Sequence, residues 1–131
     1  MQTTHRGSCL CGSVHFEVNG PIGAPDACHC RQCRKQSGHY FASGNVPRSA
    51  LTVHGAEHVK WYQSSDKVRR GFCSNCGSAL FWDPLAKKHD WISIAMGAFD
   101  TPTDVQLHWH IFVSEKGDYY TIADGLPQNE T

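Results

Sequence analysis

Seven cysteines dominate the chemistry available to this chain, and they fall into three groups. Cys9 and Cys11 form a C-x-C pair followed by Gly12, and Cys73 and Cys76 form C-x-x-C followed by Gly77. Between them, Cys28, Cys30 and Cys33 form C-x-C-x-x-C. An odd count does not close a disulfide framework, and a C-x-C disulfide is strained. In a reducing compartment, paired cysteines more often bind metal. A closed zinc site takes four ligands in a tetrahedron. The two distant pairs supply four thiolates and the tight triad supplies three, so the simplest partition is four plus three. A glycine after the last cysteine of each pair permits the tight turn that aims backbone N–H groups at sulfur. Zinc on Cys9, Cys11, Cys73 and Cys76 would pin the start of the chain to its middle, which is a structural task.

The triad suggests a different task. Three thiolates on a short loop can grip one zinc and leave its fourth position open, the feature that separates catalytic from structural zinc. Three readings compete: an open zinc, a site closed by a side chain such as His29, His108 or His110, and a redox-labile thiol cluster without metal. His29 lies between two ligating residues, so its side chain is expected to point away from the metal. An open thiolate-rich zinc is soft enough to take a thiol and hold it deprotonated. A thiolate, unlike a thiol, attacks a carbonyl. Arg31 within the triad and Arg34 and Lys35 just after it are candidate contacts for the carboxylates of an anionic thiol, or else ordinary solvated surface. Arg69-Arg70 reads as surface. His29 is a candidate proton carrier. His108 and His110 are expected to share a strand face with Phe112, as packing or else as a pocket wall. Trp61, Trp82, Trp91 and Trp109 are expected in the core between sheets.

These side chains must be positioned by short strands. "SVHFEV" (13–18) alternates, placing Val14, Phe16 and Val18 on one face. Further strand-like runs are 39–46, 51–55, 59–63, 68–73, 79–83, 91–99, 108–113 and 119–123. Glycine, proline and Ser-Ser-Asp breakers separate them. The only helical signal is a turn or two near 31–36. A mainly β single domain with several short antiparallel sheets follows, its modest core gaining from metal cross-links. The end, "DGLPQNET", reads as a frayed tail.

Composition bounds the partners. Twelve basic residues balance twelve acidic ones, which argues against broad binding to nucleic acid or anionic membrane. No apolar run approaches the roughly 20 residues of a membrane helix. The start lacks the charged-then-apolar pattern of a secretory signal, so a cytoplasmic setting is expected.

The order C-x-C, C-H-C-x-x-C-R, C-x-x-C-G resembles the glutathione-dependent formaldehyde-activating enzyme (GFA) family, whose domain also occurs in centromere protein V. The opening "GSCLCGSVHFEV" and the closing "HIFVSEKGDYYTIADGLPQ" resemble that family's ends. The resemblance spans residues 5–127 and leaves 128–131 as a tail. It implies a β-tent fold of stacked antiparallel sheets holding two zincs: a structural one on Cys9, Cys11, Cys73 and Cys76, and a catalytic one on Cys28, Cys30 and Cys33. It also implies a carbon–sulfur lyase type of reaction that condenses glutathione with formaldehyde. Tyr119-Tyr120 departs from the family pattern, in which a tryptophan is expected. The competing class is a non-catalytic, zinc-stapled binding module, with a redox or metal-buffering protein as a third. A triad without an obvious fourth ligand favours the enzyme, and the neutral charge disfavours a chromatin role.

Overall fold

A computed structural model describes residues 3–131. The strands are β1 (Thr4–Ser8), β2 (His15–Asn19), β3 (Asp26–Cys28), β4 (Phe41–Pro47), β5 (Leu51–His54), β6 (Val59–Gln63), β7 (Val68–Cys73), β8 (Ala79–Pro84), β9 (Trp91–Ala95) and β10 (Trp109–Ile111). A single α-helix, α1 (Arg31–Ser37), follows β3. A three-stranded sheet has the order β1-β2-β5, and a seven-stranded sheet runs β10-β3-β4-β9-β8-β7-β6. All pairs are antiparallel except β10 with β3, so the larger sheet is mixed.

The alternation of 13–18 places Val14, Phe16 and Val18 in the core. Phe16 meets Phe81 and Phe99 edge-on, with ring centroids 5.9 and 5.4 Å away, and so joins the small sheet to the large one. Gly7 on β1 makes this contact possible. A Cβ there would lie 2.2 Å from Cζ of Phe16 and 2.4 Å from the Ala98 carbonyl oxygen.

Several expectations require correction. β1 was not anticipated because "THRGS" carries no apolar alternation; it turns His5 and Gly7 inward. β3 is a three-residue strand hidden in the cysteine motif. Residues 119–123 do not form a strand, because Tyr119 and Tyr120 are engaged through their hydroxyls instead. The end of the chain is not frayed. Gln128 bridges His110 in parallel, His110 N–H donates to the Pro127 carbonyl, and Asn129 N–H donates to the His110 carbonyl, both at 2.9 Å. The face expected for His108, His110 and Phe112 is broken. β10 ends at Ile111 and Phe112 has φ 54°, which swings its ring to the opposite side from buried His110.

Candidate functional site

The four-cysteine cluster joins two turns. Sγ atoms of Cys9, Cys11, Cys73 and Cys76 all lie within 4.8 Å of one another. Cys9–Cys11 and Cys11–Cys73 separations are 3.7 and 3.8 Å. A tetrahedron with bonds of about 2.3 Å has sulfur–sulfur edges of about 3.8 Å, whereas a disulfide would bring the sulfurs to about 2.05 Å. The donor set therefore fits a tetrahedral thiophilic ion, and the two local disulfides do not form. Gly12 and Gly77 close the paired turns at φ 81° and 80°. Val14 N–H donates to Cys9 Sγ at 3.3 Å, and the Asn75 and Cys76 N–H groups donate to Cys73 Sγ at 3.4 Å. Such donors favour thiolate. The Ser13 and Asn75 side chains pull the Cys11 thiol down to about 7, and Ser78 pulls Cys76 down to about 5.

The triad sits where β3 meets α1. Sγ atoms of Cys28, Cys30 and Cys33 also lie within 4.8 Å of one another. Cys28 ends β3, Cys30 caps α1, and Cys33 is the one buried residue of that helix. Sγ of Cys30 accepts from Cys33 N–H at 3.3 Å, the bond an N-cap oxygen would ordinarily accept. Hydrogen bonding with Cys28 and Cys33, helped by the Arg70 guanidinium, holds the Cys30 thiol far below its ordinary range. The same contacts and burial push Cys28 up. Three sulfurs crowded this closely favour one ionised member in the absence of a cation, and binding a cation deprotonates the rest.

Sequence reasoning placed Arg70 on the surface, and the structure corrects this. Arg70 is 4% exposed. Its Nη1 donates to Cys33 Sγ at 3.4 Å and its Nε donates to Ser64 Oγ at 3.1 Å. The misleading signal was its neighbour Arg69, whose guanidinium lies 3.9 Å from the Trp61 ring and pairs with Asp83 on the other face. Period-2 alternation sends these two arginines to opposite sides.

A cavity of about 680 Å³ opens on the triad. Cys28, Cys30 and Cys33 form one part of its wall, and Phe41, Trp82, Trp91 and Phe112 supply its aromatic surface. Trp91 is thus a cavity wall rather than core, Trp82 lines the cavity while also packing against the core, and Trp109 is 38% exposed; Trp61 stacks on buried Phe81 as expected. Of the three basic residues in and after the triad, Arg31 lines the cavity, whereas Arg34 and Lys35 do not. Arg34 Nε instead donates to the Glu115 carbonyl at 3.0 Å.

His29 is fully buried and faces away from the triad, as its place in the motif required. It bonds the Tyr120 hydroxyl and, through Nε2, Nδ1 of His110 at 2.9 Å. His110 Nε2 lies 2.7 Å from Asp124 Oδ2. One proton order satisfies every member. The Tyr120 O–H donates to His29, His29 Nε2–H donates to His110, and His110 Nε2–H donates to the Asp124 carboxylate, which can only accept. Burial holds the His29 imidazole down to about 4. Neither His29 nor His110 is a fourth ligand, and His108 is exposed beside Trp109. Tyr120, which departs from the expected tryptophan, therefore anchors the chain behind the triad.

Residues 4–115 match the family model described as glutathione-dependent formaldehyde-activating enzyme. The chain belongs to that family. A Halomonas elongata protein described as a putative glutathione-dependent formaldehyde-activating enzyme is 42% identical over 129 residues, covering 88% of this chain and 79% of that protein. A Schizosaccharomyces pombe protein described as an uncharacterized lyase is 26% identical, covering 92% of this chain and 86% of its own length. The solved structure of a Rhodobacter sphaeroides protein superposes with a TM-score of 0.61 at 22% identity, over 76% of this chain and 91% of that one, and shares the fold. The two sheets agree with the mainly β single domain expected from the sequence, and the two cysteine clusters could each hold a metal ion. Among the described residues, no helix is long and apolar enough to cross a membrane.

Proposed function

We propose that this protein forms or cleaves the adduct between a glutathione-like thiol and a small aldehyde such as formaldehyde, a carbon–sulfur lyase type of reaction, in the cavity beside the triad. The observation that carries this reading is three clustered thiols in a cavity wall, with no fourth side chain among the described residues completing the set. On this reading Cys28, Cys30 and Cys33 hold a reactive zinc, and Cys9, Cys11, Cys73 and Cys76 hold a structural one, giving two per chain. A zinc on three thiolates supplies an open position at which a thiol loses its proton.

The chain's own residues do the rest. Arg31 stands in the wall beside Cys30, where its guanidinium can meet a substrate carboxylate. Arg70 steadies Cys33 and keeps positive charge beside the sulfurs. Phe41, paired with Cys28 across the sheet, shields the aldehyde end of the cavity from water. In the forward direction, sulfur forms a bond to the carbonyl carbon, the C=O π pair moves to oxygen, and the proton lost by the thiol ends on that oxygen. The reverse reaction breaks the carbon–sulfur bond and returns the proton to sulfur.

Cobalt substitution tests the reading. Glutathione should alter the sulfur-to-cobalt absorption of wild type but not of Cys30→Ser, and glutathione–formaldehyde mixtures should equilibrate faster with the zinc protein. A spectrum unmoved by any thiol, with no acceleration, would indicate a non-catalytic binding module instead.

A further inference from the structure

The cavity is longer than a two-heavy-atom aldehyde requires, and its two ends differ. Cys28 pairs with Phe41 at the start of β4, whereas Trp91 pairs with Pro47 at its end. The strand from Phe41 to Pro47 extends about 20 Å. Both cations of the wall are directed at the triad: Arg31 follows Cys30, and Arg70, although it pairs with Trp82 across the sheet, commits its guanidinium to Cys33, Gln32 and Ser64. The far end is walled by Trp91 and Val68, and Trp82, level with Arg70, lies between them and the triad. The two indoles lie parallel, with planes 7° apart and centroids 6.0 Å apart, and both stay partly exposed although the core lies just across the sheet. A tripeptide with two carboxylates finds no cation among the cavity-lining residues at that end. A flat apolar group finds an aromatic shelf.

We propose that the adduct handled by this site carries a flat apolar group, an aryl ring in the simplest case, which lies against Trp82 and Trp91 while the sulfur lies at the triad. The proposal rests on the thiol–aldehyde reading and specifies which adduct that reaction serves. The ring can arrive with the aldehyde or with the thiol, because the shelf presents the same chemistry to either.

Two unreactive thioethers, S-methylglutathione and S-benzylglutathione, test the shelf by calorimetry on the zinc-loaded protein. The benzyl compound should bind about tenfold tighter, the scale of one well-placed ring contact. Trp91→Leu and Trp82→Leu should each remove most of that preference. Equal binding of the two thioethers to wild type overturns the proposal, and this comparison does not depend on how either variant folds.

Turnover then identifies the source of the ring. Glutathione with benzaldehyde, and benzyl mercaptan with formaldehyde, are each compared with glutathione plus formaldehyde. A higher kcat/KM in either aryl mixture supports the proposal and assigns the ring to that component. Turnover of glutathione with formaldehyde but no advantage in either aryl mixture overturns it, while leaving the thiol–aldehyde reading intact. A benzyl preference in binding without turnover of any mixture overturns the thiol–aldehyde reading and leaves the shelf as a binding site.

Discussion

Arg70 Nη1 lies 3.4 Å from Cys33 Sγ, a buried guanidinium set against the innermost sulfur of the triad. The same side chain reaches Ser64, so a residue of β7 ties the helix that carries Cys33 to the β6–β7 turn. Replacing it with methionine keeps much of the volume but removes the charge and the fork of donors. Arg70→Met should cost about 1.5–3 kcal/mol of stability, the range for a hydrogen bond to a charged group. It should also release the triad metal to a chromophoric chelator at lower chelator concentration, while the metal of the four-cysteine cluster is retained. Arg70→Lys should recover part of the retention. Equal release of both metals from wild type and Arg70→Met would show that Arg70 has no special relation to the triad.

The two cysteine clusters should fail differently. Cys9 and Cys73 are buried and bring the β1–β2 turn to the β7–β8 turn, so a metal bound there would hold the two sheets together. Cys9→Ser or Cys73→Ser should lower Tm steeply and broaden the transition, because metal binding and folding are coupled. Cys30→Ser should keep the fold, since a serine hydroxyl can cap α1 where the Cys30 sulfur does now. Native mass spectrometry should find two metals on wild type and one on Cys30→Ser. A Cys30→Ser protein that loses stability as badly as Cys9→Ser would merge the two roles.

Much of this site was legible in the sequence because metal-ligand spacing is a local property. The partition of seven thiols into four and three needed only the intervals and the two glycines, and the cysteine geometry agrees with it. Burial of Val14, Phe16 and Val18 was equally legible, because strict alternation fixes a face. What escaped depended on contacts between distant segments. Arg70 looks like Arg69 until β7 is placed beside α1. Trp91 looks like core until β9 faces an open cavity. The closing segment carries no strand pattern, yet it docks by pairing with β10, and Tyr120 reaches His29 from 91 residues away.

Gly7 predicts a packing failure of a specific kind. Its Cα faces Phe16 so closely that a methyl group would overlap the ring, and the Ala98 carbonyl blocks the other direction. Gly7→Ala must therefore push Phe16 away from Phe81 and Phe99, or move β1 off the sheet. A loss of about 1–3 kcal/mol, the usual cost of overpacking, should appear in urea unfolding of the metal-loaded protein. Gly97, whose Cβ would meet nothing within 4 Å, is the control, and Gly97→Ala should be close to neutral. Equal losses at the two positions would mean that β1 does not approach Phe16 this closely in solution.

His29 sets an acid limit on the fold. Burial holds its imidazole at about 4, against 6.5 for the unperturbed side chain. As pH falls from 6.5 toward 4, the unfolded chain takes up a proton that the buried ring refuses. The unfolded state then binds more protons than the native state, so stability falls with pH across that window. Above pH 6.5 the ring is neutral in both states and contributes no slope. The urea midpoint of wild type should therefore drop between pH 7 and pH 5 by more than that of His29→Gln, which loses the titration but keeps an amide to meet Tyr120 and His110. Acid also weakens the thiolate–metal bonds of both proteins, so the difference between the two curves, rather than either curve alone, reports His29. Parallel curves for wild type and His29→Gln would show that the buried ring accepts its proton in the native state, and that the Tyr120–His29–His110–Asp124 chain does not hold it neutral.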